Sequence, residues 1–157
     1  MVLLIVRNMK IEKSVEVRRN SGDVFDYLRF TKNQDNFSVW NMADPSMKKE
    51  YSGNDGSVGF VYKWDSTNKN VGAGEQETTS VKDGKRIDFA IRFFRPMQNT
   101  GTSSYIISDL GNGRTKVEWV FDSPSKFPMS LFSPIFKKML GKDLEKGLVN
   151  LKALLEK

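Results

Sequence analysis

The stretch FPMSLFSPIFKKMLGKDLEKGLVNLKALLEK, Phe127 to Lys157, decides the architecture. Its apolar residues Phe132, Ile135, Phe136, Met139, Leu140, Leu144, Leu148, Leu151, Leu154 and Leu155 recur at helical spacing. Such spacing aligns them along one side of an α-helix. Lys137, Lys138, Lys142, Asp143, Lys146, Asn150 and Lys152 fall largely off that side, as a solvated face requires. Pro128 suits a first helical turn, and Ser130 or Ser133 can supply an N-cap oxygen. The other apolar segments are mostly strand-like, so a helix this long must bury its stripe against a sheet.

Upstream of the helix, the chain reads as an antiparallel meander. Val117, Trp119 and Phe121 alternate with Lys116, Glu118 and Asp122, after a tight turn at Gly111-Asn112-Gly113 and a strand over Thr100–Leu110. Ile87, Phe89, Ile91 and Phe93 face one way against Asp88 and Arg92. Asp83-Gly84-Lys85 is a hairpin signal that joins them to a polar strand over Val71–Val81. Before that, Val58, Phe60, Tyr62 and Trp64 alternate with Gly59, Val61, Lys63 and Asp65, so one face carries three successive aromatics. Met47–Tyr51 is a shorter strand.

At the start, Ile11, Val15 and Val17 oppose Glu12, Ser14, Glu16 and Arg18, the pattern of a half-buried strand. Asn20-Ser21-Gly22-Asp23 then opens a short helix carrying Val24, Phe25, Tyr27 and Leu28, and Thr31–Asn36 reads as another helical turn. The order is strand, two short helices, six strands and one long helix. A sheet of consecutive antiparallel strands that curls has one concave face for that helix to fill.

At 157 residues the chain is one domain with room for a real core and an internal hollow. It holds no cysteine and no histidine. That excludes disulfides, thiol nucleophiles, imidazole acid/base chemistry and the usual zinc sites. The net charge of +6 is concentrated at the two ends of the chain. The basic residues of the last helix are all lysines spaced around a solvent face, so nucleic acid is not expected as a partner. No phosphate-binding glycine loop precedes a helix and no metal-ligand cluster occurs in the sequence, so no cofactor is expected either. Met1–Val6 is apolar but far too short to span a bilayer, and no cleavage signal follows it. Residues Met1–Asn8 are therefore expected to be a dispensable leader or an extra strand segment before one domain over 9–157. A cytoplasmic location is expected with it.

The alternating first strand, Asp23-Val24-Phe25-Asp26-Tyr27-Leu28 and Trp40 resemble the opening of START-like (SRPBCC) proteins. So do Gly56-Ser57-Val58-Gly59-Phe60, Gly74-Glu75-Gln76-Glu77, Gly113-Arg114-Thr115-Lys116-Val117-Glu118-Trp119 and the amphipathic terminal helix. The chain is most similar to the polyketide cyclase/dehydrase-like branch, over about residues 10–157. The resemblance implies an α+β helix-grip fold: a curved antiparallel sheet wrapped around a long C-terminal helix, with two short helices after the first strand. It also implies a cavity between sheet and helix for a hydrophobic small molecule or lipid. Activity does not follow, because one fold carries many functions.

Each candidate has a plainer reading beside it. Phe60, Tyr62 and Trp64 line a cavity or simply form core, and buried Tyr and Trp need partners for their polar atoms. Phe89, Ile91, Val117, Trp119 and Phe121 lean further toward core; Phe89, Ile91 and Trp119 stay candidate ligand-binding residues, as does Trp40. On the helix, Phe132, Phe136, Met139 and Leu140 lie near enough to an opening to face a ligand. Gly74 and Gln76 share the inward face by the resemblance, which makes Gln76 a buried amide in need of hydrogen bonds. Glu75 and Glu77 point outward and are not read as catalytic carboxylates. Gly141 and Gly147 weaken the helix by about 1 kcal/mol each against Ala, through close packing or as a tolerated defect. Three functions remain: binding of an apolar ligand, a cyclase or dehydratase working without imidazole, and a protein-interaction module without a ligand.

Overall fold

The computed structural model describes residues 7–96, 98–125 and 133–157. Strand β1 (Arg7–Val17) leads into helix α1 (Ser21–Leu28), a 3-10 turn (Thr31–Asn36) and the single-turn helix α2 (Val39–Met42). Strands β2 (Lys48–Ser52), β3 (Val61–Asp65), β4 (Ala73–Lys82), β5 (Arg86–Arg95), β6 (Asn99–Gly111) and β7 (Arg114–Ser125) follow, then helix α3 (Ser133–Leu155). The strands form one antiparallel sheet in the order β1-β7-β6-β5-β4-β3-β2. This is the helix-grip fold. Each hairpin joins neighbours, and only β1 crosses over, to pair with β7.

Local chemistry explains the boundaries. The Asn20 side chain caps α1 by accepting the Asp23 N–H at 2.8 Å. Asn112 takes a φ of 56° between Gly111 and Gly113, the left-handed backbone that tightens the β6–β7 turn. The Arg19 guanidinium donates to the Leu155 carbonyl at 3.0 Å, placing positive charge at the C-terminal end of α3. Glu156 accepts the Arg18 N–H at 2.8 Å, which ties the end of α3 to the chain leaving β1.

Two boundaries differ from the sequence reading. Pairing of β1 with β7 begins at Arg7 opposite Ser125, four residues before the alternation from Ile11 becomes visible. The segment expected to be dispensable therefore includes two residues of a paired strand; Met1–Val6 lie outside the described residues. The aromatic strand starts at Val61, which leaves Val58 62% exposed. Gly56 and Gly59, at φ of 87° and 93°, turn the backbone away from extended pairing there.

The core joins α1 (Val24, Phe25, Leu28), Phe37, the inward residues of the sheet (Ile11, Val17, Ile87, Phe89, Tyr105, Val117, Trp119) and α3 (Leu144, Leu148, Leu151, Leu155). Ile135 and Met139 depart from the predicted stripe, at 63% and 57% exposed. At 3.6 residues per turn, Met139 stands about 140° and Ile135 about 180° from Leu144. These two keep helical spacing with each other but sit on the opposite side from the Leu line. Phe127, Pro128, Ser130 and Phe132 lie outside the described residues, as does the side chain of Phe136.

Both helix glycines are close approaches. A Cβ on Gly147 would stand 2.9 Å from the Trp119 ring, and one on Gly141 would stand 3.2 Å from the Lys13 side chain. Helix α3 accordingly lies over β1, β7 and α2. The main strand contacts of α3 are with β1 and β7, and a hollow remains between the helix and the outer part of the concave face of β3, β4 and β5.

Candidate functional site

This hollow is a cavity of about 880 Å³. Residues facing each other across the strands form rows that explain its shape. The row Phe60, Thr78 and Phe89 is buried and makes the floor. One same-face step along the strands, about 6.6–7 Å further out, the row Tyr62, Gln76 and Ile91 forms the wall. The next row is Trp64, Gly74 and Phe93. Ser103, Trp119 and Phe121 extend the lining to β6 and β7, and Leu140 and Leu144 of α3 close it from above. The mouth lies where exposed residues gather at the β5–β6 connection, Phe94, Arg95, Pro96, Gln98 and Asn99.

Of the residues singled out from the sequence, Trp40, Tyr62, Trp64, Gln76, Ile91, Trp119 and Leu140 line the cavity. Phe60 and Phe89 do not; they belong to the floor, with Phe89 packed edge-on against Tyr105 at 5.7 Å. Met139 is turned to solvent, for the helical phase just given.

Gly74 is no open wall either. The Trp64 indole lies over it, so that a Cβ would stand 2.7 Å from Trp64 and 2.5 Å from the Arg92 carbonyl oxygen. Its missing side chain seats the indole against Phe93, ring centres 6.0 Å apart. Gly74→Leu is therefore expected to destabilise the protein by about 3 kcal/mol, the upper part of the usual overpacking range. Urea unfolding measures this.

The polar side chains in the rows facing the hollow, Tyr62, Trp64, Gln76, Ser103 and Trp119, are neutral. Trp119 Nε1 donates to Ser103 Oγ at 3.0 Å, and Trp64 Nε1 donates to the Val71 carbonyl at 3.4 Å. Gln76 Nε2 donates to Gln34 Oε1 of the 3-10 turn at 3.3 Å. The Tyr62 hydroxyl is buried without a hydrogen-bond partner. Burial pushes its phenol well above the usual tyrosine range, with the negative charge of Asp35 and the neighbouring Tyr51 adding to the effect. Tyr62 therefore stays protonated across the physiological range, as a donor and not a base.

The two charged residues of the lining, Arg92 and Arg95, are engaged by carboxylates. Arg92 donates to Glu75 and Glu77, both at 2.8 Å, on the face of the sheet opposite Gln76. Arg95, at the mouth, pairs with Asp65 and donates to the Ser66 carbonyl at 3.2 Å. Among the described lining residues there is no Asp, Glu or Lys. No cluster of carboxylates that could hold a metal occurs among the described residues.

Gln34, Ser38 and Ser103 also line the cavity and are not among the residues singled out from the sequence. Gln34 sits in the wholly polar run Thr31–Asn36, where no periodicity marks an inward side. Ser103 carried a usable signal, because it alternates with Tyr105 and Ile107 on the inward face of β6.

None of the curated proteins matches this chain. Among solved structures, the fold is similar to norcoclaurine synthase from Thalictrum flavum in complex with dopamine and hydroxybenzaldehyde. The identity is 11%, the TM-score 0.70, and 95% of this chain and 87% of that chain are covered. It is also similar to the protein CV1439 from Chromobacterium violaceum, at 15% identity and a TM-score of 0.64 over 95% and 98% of the two chains. A protein from Rhizobium leguminosarum is similar at 10% identity and a TM-score of 0.65, over 99% of each chain. At such identities the likeness concerns the fold alone. Residues 8–156 match the family described as polyketide cyclase / dehydrase and lipid transport, and the chain belongs to that family.

Proposed function

We propose that this protein binds a hydrophobic small molecule or lipid in the cavity between the curved sheet and α3. The observation that carries the reading is a mostly apolar hollow of about 880 Å³, within the 300–1,000 Å³ typical of small-molecule sites. Aromatic and aliphatic walls release water when a ligand enters, and a few neutral polar groups orient it. The norcoclaurine synthase structure, a complex with dopamine and hydroxybenzaldehyde, supports small aromatic molecules as one class this scaffold accommodates.

A cyclase or dehydratase is the second reading, favoured by the family description. Such chemistry needs a paired acid and base within reach of the substrate. The described lining offers Tyr62, a phenol held protonated, and two arginines already engaged by carboxylates. Binding is therefore the better supported of the two. An interaction module without a ligand would have been supported by a filled interior.

Native mass spectrometry of freshly purified protein tests the proposal. An added mass, released on denaturation and extractable into organic solvent, is the supporting result. Protein that carries no such mass and binds no apolar fluorescent probe would count against it. Saturable one-to-one probe binding with a negative heat-capacity change is the matching calorimetric signature.

A further inference from the structure

We propose that the solvent side of α3 docks this protein onto the surface of an anionic lipid bilayer. The inference concerns the side of the helix turned away from the cavity and does not depend on the binding function.

Ile135, Lys138, Met139, Lys142, Lys146 and Val149 fall within one arc of about 100° on α3, opposite the Leu line. Ile135, Met139 and Val149 are 63%, 57% and 57% exposed, and the three lysines are exposed beside them. Exposed apolar side chains are ordinary when scattered singly. Here they share a strip about 21 Å long with three cations. Nothing acidic falls within the arc. Glu145, at its border, pairs with Lys13 at 3.8 Å, and Asp143 is half-buried. Glu156, past the end of the helix, is taken by Lys152 at 2.7 Å. Among the described residues, no carboxylate pairs with Lys138, Lys142 or Lys146.

Charge complementarity selects the occupant. A second copy of the chain would set these lysines against one another, so the strip does not fit itself. Nucleic acid would take the lysines and leave the apolar side chains in water. An anionic bilayer takes both. Ile135, Met139 and Val149 enter the boundary between headgroups and acyl chains, while the lysine stems lie over it and carry their ammonium groups to the phosphates. Each lysine near such a surface is worth about five-fold in affinity. No described helix is long and apolar enough to cross a membrane, so the contact is with the surface. Leu144, Leu148 and Leu151 hold the other side of α3 in the core, which presents the strip on a rigid element.

Co-sedimentation with vesicles tests this, comparing phosphatidylcholine alone with phosphatidylcholine containing one-third phosphatidylglycerol. Binding to the anionic vesicles is expected to exceed binding to the neutral ones at least about ten-fold and to fall as salt is raised. Replacing Lys138, Lys142 and Lys146 together by Gln should weaken it about a hundred-fold. Ile135→Ser with Met139→Ser leaves the charge unchanged and should weaken it about ten-fold, through lost apolar burial. Both variants should melt like wild type, because every altered side chain is exposed. Ile91→Trp, which fills the cavity, should dock like wild type. Equal binding to the two vesicles, or none to either, would overturn the inference. So would a serine variant that docks like wild type, the behaviour of a patch for a soluble polyanion or an acidic protein. Loss of docking in Ile91→Trp would also overturn it, by assigning the vesicle binding to the cavity.

Discussion

Leu148→Asp is expected to abolish cooperative folding. Leu148 is 1% exposed on the buried line of α3, between Leu144 and Leu151, and faces the core formed by the sheet and Phe37. Removing it loses about 2–5 kcal/mol of transfer and cavity terms. Burying an unpaired carboxylate adds several kcal/mol more. Domains of this size have only about 5–15 kcal/mol in total, so the sum is enough to unfold the chain. Met139→Asp, on the same helix but 57% exposed, should shift stability by no more than about 0.5 kcal/mol. Thermal unfolding followed by near-UV circular dichroism separates the two. A wild-type-like transition in Leu148→Asp would show that the Leu line of α3 is not the core of the fold.

Ile91→Trp is expected to weaken ligand binding by about one to two decades while keeping the fold. Ile91 is 8% exposed and sits in the wall row between Gln76 and the start of β6, with its side chain against the hollow. A larger side chain there grows into empty space, so it occupies volume without forcing neighbours apart, and cavity filling often stabilises. A ligand then competes with the indole for the same volume. The steric conflict falls on the ligand and is worth about 1–3 kcal/mol, or about five- to 150-fold in affinity. Probe titration of a variant with an unchanged or raised melting temperature gives the answer. Unchanged affinity in a folded Ile91→Trp variant would place the binding site elsewhere. Gly74→Leu cannot serve in its place, because its damage falls on the Trp64 seat and the Arg92 backbone before it reaches the cavity.

The contrast between those two positions shows how far periodicity carries. Alternation groups Phe60, Tyr62 and Trp64 on one face of β3 and Phe89, Ile91 and Phe93 on one face of β5, because side chains on a strand can point only two ways; in the polar β4 it was the resemblance that turned Gln76 inward. Alternation does not say which row of that face meets protein and which meets space. Phe60 and Phe89 share the inward face with Tyr62 and Ile91, yet they form the floor. The depth at which α1, Phe37 and Tyr105 fill the sheet is set by elements far apart in the chain.

Helix α3 shows the same division. Helical spacing alone identifies Leu144, Leu148 and Leu151 as buried, because they lie within one narrow arc and nothing polar interrupts it. The same spacing also admits Ile135 and Met139, which lie on the far side, because apolar residues one position apart can link two arcs into one apparent stripe. Gly147 was ambiguous for another reason: whether a helix glycine is a defect or a seat depends on what lies above it. Here it is the Trp119 ring, which has no neighbourhood with Gly147 in sequence.

By itself, then, the sequence determined the order of the elements, the faces of the strongly alternating strands and the exclusion of cysteine and histidine chemistry, and its resemblance to a known family supplied the fold class. The first three follow from local periodicity, turn residues and composition, which act over a few residues at a time. Only the tertiary structure decided that a hollow remains, that Gln34 partners Gln76, that Gly74 seats Trp64, and that Tyr62 is left without a partner. Those are properties of the space between elements. The hollow lies between α3, laid over β1 and β7, and the curve of β3 to β5, and no stretch of sequence contains that gap.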